Sequence, residues 1–283
     1  MGASPFLAGA SFRYSPGVSA APEPDRLVRY VADGVPQYGL DRGDHIVRLS
    51  APPWQGGRPS GPHDAAASPR LVPCEPSKII CIGLNYVEHV KESLTVMPGA
   101  TGPPAEPLFF FKPPSAALAP GAPIVKPAGL ERLDPEGEMA LVIGRRARRV
   151  REDEAMAYVA GVTCFNDVSA RDWQKLDNQW SRAKGSDSFA PFGPCVALGL
   201  DPRDLALELA VNGVTRQRER TSAMHFGPAL LVSYLSRFVT LEPGDVIATG
   251  TPAGIAPIVP GDVVAVTVER VGTLTNPVVS ESA

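Results

Sequence analysis

At 283 residues the chain is long enough to bury a large core, as one large domain or one large and one small. A hydrophobic share of 44% and a charged share of 20% are ordinary for a soluble globular protein, and a net charge of −3 gives no electrostatic case for nucleic acid or an anionic membrane as partner. The 31 prolines, many of them in the first 130 positions, predict long ordered loops and a low helix content.

Residues 1–25 carry Ser, Ala, Gly and Pro without periodicity and read as a flexible tail. They hold neither a basic segment nor a sustained apolar stretch, so neither a signal peptide nor a membrane span is expected there. Strand-like runs follow at 27–31, 35–40 and 45–49, parted by turn signals at Asp33-Gly34 and Arg42-Gly43-Asp44. Residues 26–75 therefore read as a small N-terminal β-rich domain that ends in a Pro- and Gly-rich linker at 50–72. From residue 76 the texture changes. Runs at 78–83 and 108–111 read as strands, 85–93 as a short helix, and 97–106, with three prolines and two glycines, as a loop long enough to move. Apolar runs at 139–143 and 162–165 are strands, and 152–159 a short helix closed by Gly161. Asn212-Gly213 between apolar runs signals a type I′ hairpin. Phe226, Leu230, Leu231, Tyr234, Leu235 and Phe238 recur at helical spacing, and strands close the chain at 246–248 and 263–268. Cys74, Cys81, Cys164 and Cys195 are scattered through apolar runs and read as reduced core residues of a cytoplasmic protein.

The acids carry the functional signal. Glu136 and Glu138 sit two apart at the mouth of an apolar strand, so both side chains leave the same face. Two carboxylates together beside a core repel each other and are costly to desolvate, and a divalent cation removes both problems. Asp167 ends a second apolar run and supplies a third ligand. With no Cys-x-x-Cys and no His close in sequence, oxygen-only coordination points to Mg²⁺, Mn²⁺ or Ca²⁺ rather than zinc or copper. The competing reading is that the glutamates are solvated at a strand end. It leaves Asp134, Asp167 and Asp172, which flank the same strands, unexplained.

The segments 78–93 (KIICIGLNYVEHVKES), 107–113 (PLFFFKP), 136–144 (EGEMALVIG), 166–174 (NDVSARDWQ), 182–194 (RAKGSDSFAPFGP) and 240–254 (TLEPGDVIATGTPAG) together resemble the fumarylacetoacetate hydrolase superfamily. The resemblance runs from about residue 77 to the C-terminus, and 27–49 looks like the small N-terminal domain of many bacterial members. It implies a β-rich α/β fold, a mixed β-sandwich roll with short helices, with 76–283 as the catalytic domain of a homodimer. It also implies that Glu136, Glu138 and Asp167 bind Mg²⁺ or Mn²⁺, and that the substrate is a small oxo acid.

His89 and Glu92 are three apart on the short helix and can hydrogen-bond, which fixes the imidazole tautomer and frees its other nitrogen to activate water. The resemblance places this pair in a lid and makes it catalytic. Lys184, in a polar loop, is expected to meet substrate or a neighbouring carboxylate. Lys112, after three phenylalanines, reads either as a cation at a pocket rim or as a snorkelling lysine. By family pattern the Thr251 hydroxyl and nearby amides such as Gly250 bind a substrate carboxylate, and Tyr86 is assigned to substrate as well. Arg171 and Asp172 read as supports for Asp167 or as a plain ion pair. Two segments depart from the family pattern: 185–188, and 224–228 with His225, which reads as a helix-start or dimer-face residue or as a substrate contact.

The chemistry so implied is hydrolysis of a carbon–carbon bond in a 2,4-dioxo, acylpyruvate-type acid through a metal-stabilised enolate. The same site would serve a decarboxylase of oxaloacetate-like acids or an isomerase or tautomerase of 2-hydroxyhepta-2,4-dienedioate-like acids. A non-catalytic metal- or ligand-binding relative is the reading from another class.

Overall fold

The computed structural model describes residues 22–93 and 102–282. The tail expected at 1–25 thus lies almost wholly outside the described residues, as does much of the loop expected at 97–106.

A mixed sheet of eleven strands organises the molecule. Ten of them lie side by side in the order Pro59–Ala65, His45–Leu49, Val35–Asp41, Arg26–Ala32, Ala190–Leu198, Val159–Asn166, Gly137–Ile143, Val246–Ala248, Ile79–Gly83 and Leu108–Lys112. The N-terminal strands are therefore continuous with the rest, since Leu27 pairs with Val196. Gly137–Ile143 lies near the centre and is buried along its whole length. Its alternation explains why: Met139, Leu141 and Ile143 enter one core, and Ala140 and Val142 enter a second on the opposite face.

A five-stranded sheet covers the first of these cores. Its order is Val214–Arg220, Ala206–Val211, Val263–Val268, Gly272–Ser280 and Ile124–Lys126. Leu207, Leu209, Val264, Val266 and Leu274 point inward from it to meet Met139 and Leu141. The result is the expected sandwich. The hairpin at Asn212-Gly213 has both residues at positive φ, 52° and 76°, as a type I′ turn requires. Four short helices decorate the sheets: α1 (Val87–Ser93), α2 (Arg171–Leu176), α3 (Ser181–Gly185) and α4 (Pro228–Phe238). Among the described residues no helix is long and apolar enough to cross a membrane.

The structure corrects two local expectations. The helix expected at 152–159 is a 3₁₀ segment, Glu152–Tyr158, and Gly161 lies inside the next strand rather than closing a helix. A Cβ at Gly161 would stand 2.2 Å from the Ala197 carbonyl oxygen, so this glycine serves close strand packing. The linker at 50–72 contributes an edge strand, Pro59–Ala65, where proline is tolerated. The run Ala190–Leu198, with two prolines and a glycine, carries no strand signal in the sequence, yet it is the strand that joins the N-terminal unit to the centre.

Candidate metal centre and substrate cleft

Glu136 and Glu138 flank Gly137, the first residue of the central strand, whose neighbour Val159–Asn166 ends with Asn166 opposite Gly137. Three contacts then close the acids onto one point. The Asp167 amide donates to the Glu136 carbonyl at 2.9 Å. Asn166 Oδ1 accepts from the Glu136 amide at 3.0 Å. The Gly137 amide donates to Gln217 Oε1 at 2.8 Å. A side chain at residue 137 has no room, because its Cβ would lie 2.8 Å from Leu209 Cβ. The outcome is three buried carboxylates, Glu136, Glu138 and Asp167, with oxygens within 4.8 Å of one another.

Cations hold two of the three acids. Lys184 Nζ, itself buried, donates to Glu136 Oε2 at 2.7 Å and Asp167 Oδ2 at 2.8 Å. Arg171 donates to Glu136 Oε1 at 2.5 Å and to Asp134 Oδ2 at 2.9 Å. Arg171 thus forms ion pairs with Asp134 and Glu136, as the ion-pair reading allowed, and does not touch Asp167, while Asp172 accepts the amides of Glu131 and Arg132. Burial opposes ionisation of Glu136, but Lys184 and Arg171 outweigh it and hold the carboxyl well below its usual range. Burial likewise opposes the charge on Lys184, and Asp167 and Glu136 outweigh it to raise the Lys184 pKa.

Lys112 is a correction. It does not sit at a rim. Its ammonium is buried behind Asp167, 2.7 Å from Oδ1, and is directed at the carbonyls of Val168, Lys184 and Phe189. It braces Asp167 of the acid triad and is absent from the residues that line the cleft.

Glu138 differs from its neighbours. Among the described residues no cation pairs with it, and its Oε2 accepts only the Gly250 amide, at 2.7 Å. Burial, then the charges of Asp167 and Glu136, push its carboxyl well above the usual range. Asp167 Oδ1 is buried, and its one close partner among the described residues is the Lys112 ammonium at 2.7 Å. Three buried hard oxygen donors within reach of one another, one of them, Glu138, with no cation partner among the described residues, fit Mg²⁺ or Mn²⁺.

The acids form the floor of a cleft of about 810 Å³, counting its open mouth. His89, Lys184, Arg171, Gln174, Lys175, Arg132 and Thr251 line it, with Ile82, Leu84, Phe110, Trp180 and Ile255 as an apolar wall. His89 is buried on α1, with Nδ1 3.3 Å from Glu92 Oε2. Burial raises the Glu92 carboxyl, but the bonds from His89 and the Gly254 amide overcome it and leave its pKa lowered.

Other predicted residues take supporting roles. The Gly250 amide is committed to Glu138 rather than facing substrate. The Thr251 hydroxyl lines the cleft but donates to the Gly137 carbonyl at 2.9 Å and accepts from Gln217 at 2.8 Å. Tyr86 is buried away from the cleft lining, and its hydroxyl has no partner among the described residues. His225 is exposed and packs edge-on against Phe226. Sequence reasoning missed Asn85 and Gln217. Asn85 donates to the Phe226 and Thr249 carbonyls at 3.0 and 2.7 Å, tying the start of α1 to two loops. Gln217 is the one buried residue in an otherwise exposed charged strand, and that pattern was its signal.

A buried acidic triad that could hold a metal ion lines the same cleft as a histidine, at the start of a central sandwich strand. Residues 78–279 match the fumarylacetoacetate (FAA) hydrolase C-terminal family model, so the chain belongs to that family; residues 25–73 match the Rv2993c-like N-terminal model. The chain is 47% identical over 212 residues to protein Rv2993c of Mycobacterium tuberculosis, covering 74% of this chain and 78% of that one. It is 40% identical over 216 residues to the mitochondrial oxaloacetate tautomerase fahd2 of Xenopus laevis, covering 72% and 66%. Among solved structures, 2-hydroxyhepta-2,4-diene-1,7-dioate isomerase from Mycobacterium marinum superposes with a TM-score of 0.83 at 38% identity, covering 92% of this chain and all (100%) of the other. Maleylpyruvate hydrolase from Sphingobium sp. SYK-6, in complex with manganese (II) ion and pyruvate, gives 0.74 at 27%, covering 91% and 100%.

Proposed function

We propose that the chain is a divalent-metal-dependent hydrolase that cleaves the carbon–carbon bond of a small 2,4-dioxo, acylpyruvate-type acid. The observation that carries this reading is a buried histidine, oriented by a carboxylate, that lines the same cleft as the acid triad. Glu136, Glu138 and Asp167 would hold Mg²⁺ or Mn²⁺, which when bound supplies a Lewis acid for the oxygens of a 2-oxo acid. Glu92 beside Nδ1 makes that nitrogen the protonated one and leaves Nε2 to take a proton from water. The water oxygen adds to the distal carbonyl carbon. The bond from that carbon to the methylene then breaks, its electron pair stays with the pyruvate half, and a proton returned to the methylene carbon gives pyruvate and a carboxylic acid. Lys184, Lys112 and Arg171 hold the acid floor fixed throughout.

A tautomerase or isomerase is the second reading. It is favoured because the relatives with those names stand at 40% and 38% identity, above the structures named as hydrolases at 34% and 27%. A decarboxylase of oxaloacetate-like acids shares the site. We also read the protein as a cytoplasmic homodimer: all four cysteines are free and buried, and the exposed Phe111 and Phe238 each pack against Phe109 on the edge strand.

Product analysis tests the reading. Mg²⁺-loaded protein is given acetylpyruvate, fumarylpyruvate or oxaloacetate, with EDTA controls. Metal-dependent release of pyruvate plus an acid supports hydrolysis. Enol–keto exchange or carbon dioxide from oxaloacetate alone selects the tautomerase or the decarboxylase. Absence of all three products, unchanged by His89→Ala, leaves the non-catalytic relative.

A further inference from the structure

The strand that begins between Glu136 and Glu138 is completed on one side by side chains instead of a neighbouring strand. Successive residues of a strand turn their amide and carbonyl to opposite sides. Glu136 turns both toward Val159–Asn166, meeting Asn166 Oδ1 and the Asp167 amide. Gly137 therefore turns both the other way, toward Val246–Ala248. That ladder ends with Ala140 opposite Ala248 and one further bond, from the Thr249 amide to the Met139 carbonyl at 3.0 Å. Its register would next bring Thr251 opposite Gly137. The backbone departs first, at Gly250, whose φ is 96° and whose amide goes to Glu138 Oε2. Among the described residues the amide and carbonyl of Gly137, buried between two of the three acids, thus have no ladder partner on that side.

Gln217 and Thr251 stand in for the missing strand. Gln217 Oε1 accepts from the Gly137 amide at 2.8 Å, and the Thr251 hydroxyl donates to the Gly137 carbonyl at 2.9 Å. Gln217 Nε2 joins the two halves, donating to Thr251 Oγ1 at 2.8 Å and to the Pro252 carbonyl at 2.7 Å. The result is a closed clamp around one residue. Oε1 and both Nε2 protons are engaged, so the amide has a single orientation. Gln217 reaches the clamp from the five-stranded sheet, is 1% exposed, and is absent from the residues that line the cleft.

We propose that Gln217 is a positioning residue for the metal centre. By clamping Gly137 it fixes the separation of Glu136 and Glu138, and with it the size of cation that the triad prefers. This rests on the metal reading of the triad and adds what sets its selectivity. Mg²⁺ demands near-ideal octahedral geometry at about 2.0–2.1 Å, whereas Ca²⁺ accepts roughly 2.3–2.6 Å in a flexible shell. A fixed spacing favours the smaller ion, and a loosened one gives that preference up.

The test is Mn²⁺ binding to the full chain, read from the electron paramagnetic resonance of the free ion, with Mg²⁺ and Ca²⁺ measured by displacement. Gln217→Met keeps the length of the side chain and removes the amide. It should weaken Mn²⁺ and Mg²⁺ by about tenfold or more and Ca²⁺ by less, so the Mg²⁺-to-Ca²⁺ affinity ratio falls. Thr251→Val breaks the clamp from its other side with little change of shape and should move the ratio the same way. It carries the test if circular dichroism shows Gln217→Met unfolded. Thr251→Ser keeps the hydroxyl and should keep the ratio. Unchanged affinities in Gln217→Met and Thr251→Val overturn the proposal. An equal loss for all three ions, which a merely loosened fold would give, overturns it too. A wild type that binds none of the three sinks the metal reading and the proposal together.

Discussion

Replacing Lys112 by Met separates two accounts of one residue. A rim lysine that meets substrate would, when lost, raise KM and leave the fold alone. The structure instead buries the ammonium against Asp167 and three carbonyls. Methionine keeps most of the volume, so the cost is electrostatic. Removing one partner of a buried pair typically costs about 3–5 kcal/mol, since the other charge is left uncompensated. Each carbonyl that loses its donor without gaining water adds roughly 1 kcal/mol or more. Lys184 still neutralises part of Asp167, which lowers the first contribution. A loss of about 4–6 kcal/mol is expected, a large share of the roughly 5–15 kcal/mol that holds a typical domain folded. That corresponds to a melting temperature lower by roughly 10–20 °C. Urea denaturation of the metal-free protein, followed by circular dichroism and compared at equal m-value, reads it. A loss below about 1 kcal/mol, a typical surface change, would refute the buried-brace argument, most clearly if KM for the oxo acid rose instead.

Saturating Mn²⁺, at about a hundred times its dissociation constant, should stabilise the protein by roughly 2.7 kcal/mol, and Glu138→Gln should abolish most of that gain in a thermal melt. An equal gain in the variant would remove Glu138 from the ligand set. The metal-free protein should show a pH signature from the same residue. The folded Glu138 pKa is raised, so its contribution is fully present below the unfolded value of about 4.3 and is lost as pH rises through the folded value. Urea midpoints taken in EDTA should therefore fall less steeply with rising pH in Glu138→Gln than in the wild type, and parallel curves would contradict the assignment. His89→Ala should lower kcat by about 10²–10⁴-fold while Mn²⁺ affinity by calorimetry changes little. A matching loss of metal affinity would make His89 a ligand.

The acids were legible because strand alternation converts sequence spacing into facing. Glu136 and Glu138 at i and i+2 needed no tertiary knowledge, and Asp167 announced itself at the end of an apolar run. The cations were less so. Nothing local distinguishes Lys112 from Lys184, each beside aromatic or small residues. Their roles follow from where α3 and the strand Leu108–Lys112 stand relative to Asp167, which is a matter of sheet order. Ala190–Leu198 was hidden for another reason: proline and glycine argue against a strand locally, and tertiary pairing to Arg26–Ala32 and Val159–Asn166 overrides them.

The loop at 249–254 was read from sequence as a carboxylate-binding segment, and its geometry gives it a different task. Gly250 and Gly254 both have positive φ, 96° and 108°, and a Cβ at either would collide, with Asn85 Cβ at 2.7 Å or the Arg216 carbonyl oxygen at 2.1 Å. The amides so aimed go to two different acids. Gly250 donates to Glu138, of the acid triad, and Gly254 to Glu92, the partner of His89. Thr249 fixes one end of the loop on the Met139 carbonyl at 2.7 Å, and Gln217 fixes the middle through Thr251 and the Pro252 carbonyl. One short segment thus sets the acid triad and the proposed base, His89, in a common frame. That accounts for glycine at both positions more directly than a substrate contact does. It also explains how a seven-residue helix such as α1, too short to be stable alone, holds a histidine in place: Asn85 at its start and Glu92 near its end are both tied to this loop.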